Sequence, residues 1–299
     1  MLSKEEIARY SRHLLLPEIG MEGQEKLKKA RVLVIGAGGL GCPVLLYLVA
    51  AGVGEIGIVD FDTVDETNLQ RQILFDVKDV GTSKAETAKI KLQKQNPFIH
   101  IKTFAVKLSV SNAGEIFSGY DIVIDGTDNF STRYMVNDAC VLLGKTLVSG
   151  SLFKFQGQLS VFNFTGKKGI QGPTYRCLYP SPPSPEDAPS CSEIGVMGVL
   201  PGIVGTLMAN ETIKIIACAG EILSGKLLLI DALKMSFQTL EVARNAEAAA
   251  AIPASMDEFK KMDYDFFCRS KTVAEVVREI SSIELKKLLK SKKDRKSVV

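Results

Sequence analysis

The feature that most constrains this chain is a glycine run set between a strand and a helix. Arg31–Ile35 reads RVLVI, a short apolar segment of buried-strand type. It leads into Gly36-Ala-Gly-Gly-Leu-Gly41, then an apolar helical stretch over 43–51 that Gly52 and Gly54 end. A second strand, Glu55–Val59, stops at Asp60. Strand, glycine turn, helix and strand make one βαβ unit, whose strands must lie parallel in a sheet. Gly36, Gly38 and Gly41 permit a tight turn and close backbone approach, so the next helix presents its first amides to a phosphate. Asp60 can accept hydrogen bonds from ribose hydroxyls. The spacing alone also suits a purely structural turn; with strand, helix and acid in place it predicts nucleotide binding.

Downstream, helical and strand patterns keep alternating. Positions 83–95 predict a helix ending at Asn96-Pro97, 99–106 a strand, 111–118 a helix, 121–125 (DIVID) a buried strand and 131–143 a helix. That order predicts an α/β fold: a Rossmann-like, doubly wound sheet, parallel in its first half and covered on both faces. From 147 to 164 the pattern changes to strands with turns at Gly150 and Gly157, so antiparallel strands are expected to continue the sheet. Positions 180–189 hold five prolines and predict a long loop. A largely helical stretch over 195–219 and a last apolar strand over 226–230 follow. At the start, Ser3 and Glu6 form a capping-box pattern for a helix carrying Arg9, Arg12 and His13. The expected division is a domain over 1–245, an alanine-rich linker over 246–262 and a C-terminal segment over 263–299.

Composition narrows the function. The 299 residues are 46% hydrophobic and 24% charged, which suits a globular chain with a sizeable core. A net charge of +3, with its basic cluster confined to 286–296, argues against a nucleic-acid partner. The opening residues lack the order of a signal peptide. The uncharged stretch 194–210 is shorter than the roughly 20 residues of a membrane span and contains Pro201, so it predicts a buried helix and no membrane association. Cys42, Cys140, Cys177, Cys191, Cys218 and Cys268 contain no C-x-x-C pair, which rules against a disulfide framework. The expectation is a cytoplasmic protein.

The βαβ unit does not choose between nucleotides. Asp60-Phe-Asp-Thr-Val-Asp-Glu-Thr-Asn-Leu-Gln-Arg-Gln72 does. Hydride transfer needs no cations near the phosphates, whereas cleavage of a triphosphate does, because charge builds on the leaving pyrophosphate. Arg71 and Lys84 supply two such cations, and Asn68 an uncharged partner. Asp128 follows the 121–125 strand, where a doubly wound sheet places its ligands, and a carboxylate there could hold Mg²⁺ between phosphates. Singly, Arg71 and Lys84 would read as an exposed salt-bridging face; with Asp128 on the same sheet edge they read as a site.

These segments together resemble the MoeB/ThiF/HesA family, bacterial relatives of ubiquitin-activating enzymes. The likeness runs through Gly36–Cys42, Asp60–Val64, Asn68–Gln72, Val80–Lys84, Gly126–Asn129, Val148-Ser-Gly150, Glu193–Met197 and Gly225 to Asp231, within about residues 1–245. It implies a ubiquitin-activating-enzyme-like fold and an ATP-dependent adenylyltransferase. The substrate implied is a MoaD- or ThiS-like sulfur carrier ending in Gly-Gly, in molybdopterin or thiamin biosynthesis or tRNA thiolation. The resemblance also implies a homodimer in which Arg12 or Arg71 reaches in from the second subunit. It gives Asp60 the ribose, Arg12, Asn68, Arg71 and Lys84 the phosphates, and Asp128 the Mg²⁺. Gly39, Asp62, Gln72 and Asn129 complete the expected nucleotide-binding set. Two other readings stand beside it. One is a non-catalytic or differently specific relative acting on tRNA or a peptide; the other is a nicotinamide-dependent oxidoreductase, against which Arg71, Lys84 and Asp128 speak.

The sequence departs from the family pattern in one respect. Many members bind a structural zinc through two C-x-x-C pairs. Here the first reads Thr174-Tyr-Arg-Cys177 and the second would fall near 245–250, where no cysteine stands, so no zinc is expected. Cys191, after the proline-rich loop, matches a position where some relatives carry a thiol that can bond to the carrier; the alternative is a bystander. The remaining cysteines read as core. Finally, 278–289 resembles the opening helix of a rhodanese domain, with a generic amphipathic helix as the alternative.

Overall fold

In the computed structural model, residues 1–166, 169–183 and 195–269 are described. Cys191, the Glu193–Ile194 part of one motif, most of the proline-rich loop and the rhodanese-like stretch at 278–289 lie outside them.

Eight strands form one sheet in the order β3-β2-β1-β4-β5-β6-β7-β8. They are β1 (Arg31–Ile35), β2 (Glu55–Val59), β3 (His100–Phe104), β4 (Ile122–Asp125), β5 (Thr146–Phe153), β6 (Gln156–Phe162), β7 (Lys226–Asp231) and β8 (Ser236–Glu241). The pairs from β3 to β5 are parallel and those from β5 to β8 antiparallel, as expected for the two halves. The chain winds outward from β1 to β3, then crosses to β4 on the other side of β1. The strand order therefore reverses between β1 and β4, the place where open α/β sheets bind ligands.

Burial on both faces explains the apolar strand runs. Val32, Val34, Ile56, Ile58, Ile122 and Ile124 belong to one core, under the helices Gly41–Ala51, Lys84–Gln95 and Leu200–Ala217. The alternate residues Leu33, Ile35, Val59 and Val123 belong to a second core, under Ala113–Ser118 and Phe130–Leu142. Period-2 alternation thus sends successive side chains into two different cores.

Four expectations change. Gly150 and Gly157 lie inside β5 and β6 rather than at turns. A Cβ on Gly150 would stand 2.5 Å from the Met208 sulfur, and one on Gly157 2.5 Å from Val204 Cγ2. The glycines let the helix Leu200–Ala217 lie close against the sheet. β8 is an eighth strand beyond the apolar run expected to be last; all six of its residues are exposed, so burial leaves no signature in its sequence. The stretch read as a linker over 246–262 carries the helices Ala246–Ala250 and Met256–Phe259, with Phe259 fully buried in the second core. Among cysteines read as core, Cys218 is exposed and caps the helix Leu200–Ala217 in left-handed conformation, while Cys42 and Cys140 are buried. The helix Leu200–Ala217 answers to the uncharged stretch at 194–210, and among the described residues no helix is long and apolar enough to cross a membrane.

Candidate functional site

A crevice of about 1070 Å³ opens at the ends of β1, β2 and β4. Gly36, Gly38, Gly39, Asp60, Asp62, Asn68, Arg71, Gln72, Lys84, Asp128 and Asn129 all line it. Gly41 lies behind the loop: a Cβ there would sit 1.9 Å from the Gly36 carbonyl oxygen, so only glycine lets the turn close. A side chain at Gly38 would meet Gln72 Nε2, and one at Gly39 would meet Pro201 and Arg71. At Gly39 that side chain would crowd Pro201 at 3.1 Å, whereas at Gly38 the 3.7 Å contact is an ordinary one.

Asp60 is fixed from both sides. Its Oδ2 accepts from the Ala37 amide at 2.7 Å and its Oδ1 from the Asp62 amide at 2.8 Å. Burial raises its carboxyl above the ordinary value, and the two amides and the Lys84 ammonium oppose that rise. Lys84 is the first residue of its helix and is only 6% exposed. Its amide donates to the Asp62 carbonyl at 3.0 Å and its ammonium pairs with the Asp62 carboxylate at 3.2 Å. A buried cation is thereby held close enough to Asp60 to act on its carboxyl. Arg71 is half-buried and donates through Nη1 to the Thr67 carbonyl at 3.0 Å. Gln72 is buried, and its Oε1 has no hydrogen-bond partner.

Across the switch point, Asp128 is an exposed carboxylate on the loop after β4. The loop is held from beneath. Asp125 Oδ1 accepts from the Thr127 amide at 3.0 Å and from its hydroxyl at 2.7 Å. Arg133 donates to the Thr127 carbonyl at 2.8 Å through Nη2. Asn129 is occupied as the N-cap of Phe130–Leu142, accepting from the Thr132 amide at 2.9 Å, so its carbonyl oxygen serves the helix first. Burial pushes the Asp125 carboxyl up.

Arg12 is exposed and does not line the crevice of its own chain. Arg133 does, and sequence reasoning missed it. Its signal was helical: four residues past the Asn129 cap, a long side chain leans back toward the helix start. Cys42, at the helix start behind the loop, donates to the Ala37 carbonyl and is pushed up to about 12 by burial, so it is an inert thiol. His100 is exposed, and His13 pairs with Gln24 away from the site.

The two segments compared with the family's zinc pattern meet around a single sulfur. Cys177 Sγ lies 3.4 Å from the Thr174 amide and 3.4 Å from the Asn245 amide. Hydrogen bonds from neutral groups surround one soft ligand where tetrahedral zinc requires four.

The chain is similar to several known proteins. The ThiF family model matches residues 10–250. The chain is 52% identical over 267 residues to a protein of Mycobacterium tuberculosis named probable adenylyltransferase/sulfurtransferase MoeZ, covering 89% of this chain and 66% of that protein. It therefore spans just under two thirds of that relative's length. It is 51% identical over 269 residues to the sulfur carrier protein adenylyltransferase of Thermus thermophilus, covering 89% of this chain and 98% of that protein. The crystal structure of E. coli MccB with ATP is similar at TM-score 0.69 and 25% identity, covering 80% of this chain and 72% of that one.

Proposed function

This chain belongs to the ThiF family, and from that membership we propose that it transfers AMP from ATP to the C-terminal glycine carboxylate of a ubiquitin-like sulfur carrier, releasing pyrophosphate. The observation that carries the reading is the meeting of Arg71, Lys84 and Asp128 with the glycine loop in one crevice.

In this reading Asp60 accepts the ribose hydroxyls, and the bare loop admits the phosphates. Arg71 and Lys84 meet the charge that grows on the departing pyrophosphate. The attacking carboxylate is ionised at neutral pH, so no general base is needed. Catalysis is then positioning and electrostatic stabilisation in a partly desolvated crevice. A hydride-transfer site gains nothing from Lys84 and Arg71, which favours adenylation.

Mg²⁺ fits the donors on this sheet edge. It is commonly bound through one or two carboxylates together with substrate phosphates, and Asp128 offers one exposed carboxylate beside the loop. When bound there, the ion would neutralise phosphate charge. Cys191 has no role in the adenylation step in this reading; its place is in later sulfur transfer. The described cysteines are all unpaired, as a reducing compartment such as the cytoplasm favours.

The active form in this reading is a homodimer. Arg12 lies outside its own crevice, so a phosphate role for it requires delivery by a second copy. A groove between the helices Gly41–Ala51 and Leu200–Ala217 and strand β8 offers the apolar face. Tyr47, Ile73, Val199 and Phe237 there are each more than half exposed.

The test is exchange of labelled pyrophosphate into ATP, dependent on a small carrier ending in Gly-Gly. Wild type should exchange, and Asp128→Ala should lose at least about a hundredfold while keeping its oligomeric state. Exchange by Asp128→Ala at the wild-type rate removes that residue from the mechanism, and no exchange by wild type with any carrier removes the reading.

A further inference from the structure

The crevice is lined by more than the groups proposed for phosphate and ribose. Part of its lining is apolar: Leu108 and Met135 belong to the second core, and Val110 packs on it. An aromatic base needs such a slot, because its faces gain most from apolar contact. Met262 packs on that same core and lines the crevice too, and it comes from elsewhere in the sequence. Residues 262–265 line the same crevice, yet they lie past the end of the ThiF family match at residue 250.

That segment is not loosely placed. Tyr264 is 5% exposed, and its hydroxyl donates to Asp138 Oδ2 at 2.7 Å. Asp138 is fully buried and also accepts Arg176 Nε at 2.9 Å and Nη2 at 2.7 Å. The Arg176 guanidinium lies over the Tyr134 and Phe267 rings, 5.0 and 4.9 Å from their centroids. Two residues after Met262, the chain is therefore bolted to the second core by a desolvated, charge-assisted network. Met262 itself is half-buried and packs on that core while facing the crevice lining.

We propose that residues 262–265 form a base subsite of the nucleotide crevice, with Met262 as a contact residue for the adenine ring and Tyr264 as the positioning residue that holds it there. The proposal rests on the nucleotide reading above. It adds that affinity for the base, unlike affinity for the phosphates, depends on a segment outside the family domain.

The experiment uses the full chain and two probes measured by calorimetry: ATP, and inorganic tripolyphosphate, which has no base. Met262→Ser should weaken ATP binding about three- to tenfold and leave tripolyphosphate within twofold, since it removes apolar contact and no charge. Tyr264→Phe should weaken ATP in the same direction, again with tripolyphosphate unchanged. Circular dichroism and the melting temperature of each variant report whether the fold is kept. Met262→Ser lies on a half-buried surface and keeps the inference testable if Tyr264→Phe unfolds. ATP affinity unchanged in Met262→Ser, or equal losses for both probes, overturns the subsite. Wild type that binds neither probe overturns the nucleotide reading instead, so the two failures are distinguishable.

Discussion

Asp60 shows how much one side chain must satisfy. Both of its oxygens already accept backbone amides, which fixes its rotamer before any ligand arrives. An asparagine has only one acceptor oxygen, so Asp60→Asn must turn its amide nitrogen toward one of those two N–H groups. That loss at a buried position costs about 1–3 kcal/mol, and in the proposed reading the ribose loses its charged acceptor as well. The expected outcome is a lower melting temperature and at least about tenfold weaker ATP binding by calorimetry. The pH dependence follows from burial, which raises the folded-state carboxyl above 3.8. The folded chain then binds this proton more tightly than the unfolded chain. That linkage favours folding fully below 3.8 and is lost as pH rises through the folded value. For ligand the sign is opposite if Asp60 receives the ribose as proposed, because ribose hydroxyls then need the ionised acceptor. ATP affinity should therefore begin to fall, on acidification, at a higher pH than an exposed aspartate would dictate. A calorimetric titration of ATP across the acidic range checks this, and an affinity that stays level down to 3.8 contradicts it.

Among the elements, the helix Phe130–Leu142 joins the site to the C-terminal segment. Its start carries Arg133 under the Asp128 loop, and its middle carries Asp138, which holds Arg176 and Tyr264. Asp138→Ala would strand a buried guanidinium, with an expected loss of about 3–5 kcal/mol in urea unfolding. The double change Asp138→Leu with Arg176→Met removes both charges and should cost clearly less. Equal losses in the two variants would show that packing, not the ion pair, dominates there. The same contrast explains what could be read from sequence. Gly36, Gly41 and Asp60 were legible because a turn, a helix start and a strand end lie within one short segment. Gly150 and Gly157 were misread as turns because their reason is distant: the helix Leu200–Ala217 passes over them. Tyr264 and Met262 gave no signal, since a tyrosine after an alanine-rich stretch becomes meaningful only when Asp138, 126 residues earlier, is found at its hydroxyl.

At the scale of the whole molecule, the question is whether one chain makes a complete site. The crevice holds Asp60, Arg71, Lys84 and Asp128, while Arg12 stands outside it. If Arg12 of one copy serves the crevice of the other, a single-site defect in each of two chains becomes complementary. In a hybrid of Arg12→Ala with Asp128→Ala, one crevice keeps its Asp128 and receives the intact Arg12 of its neighbour. The other crevice has both defects. Either variant alone should be nearly inactive. Equal amounts of the two, co-folded so that chains pair at random, should recover about a quarter of wild-type pyrophosphate exchange, because half of the dimers are hybrids with one complete site each. If Arg12 acts within its own chain, every crevice in the mixture keeps one defect and no activity returns. Tyr47→Glu, which puts a charge into the apolar groove, should split the proposed dimer in sedimentation analysis and lower exchange in parallel. A monomer that keeps full exchange would separate the groove from catalysis and return Arg12 to the surface charges.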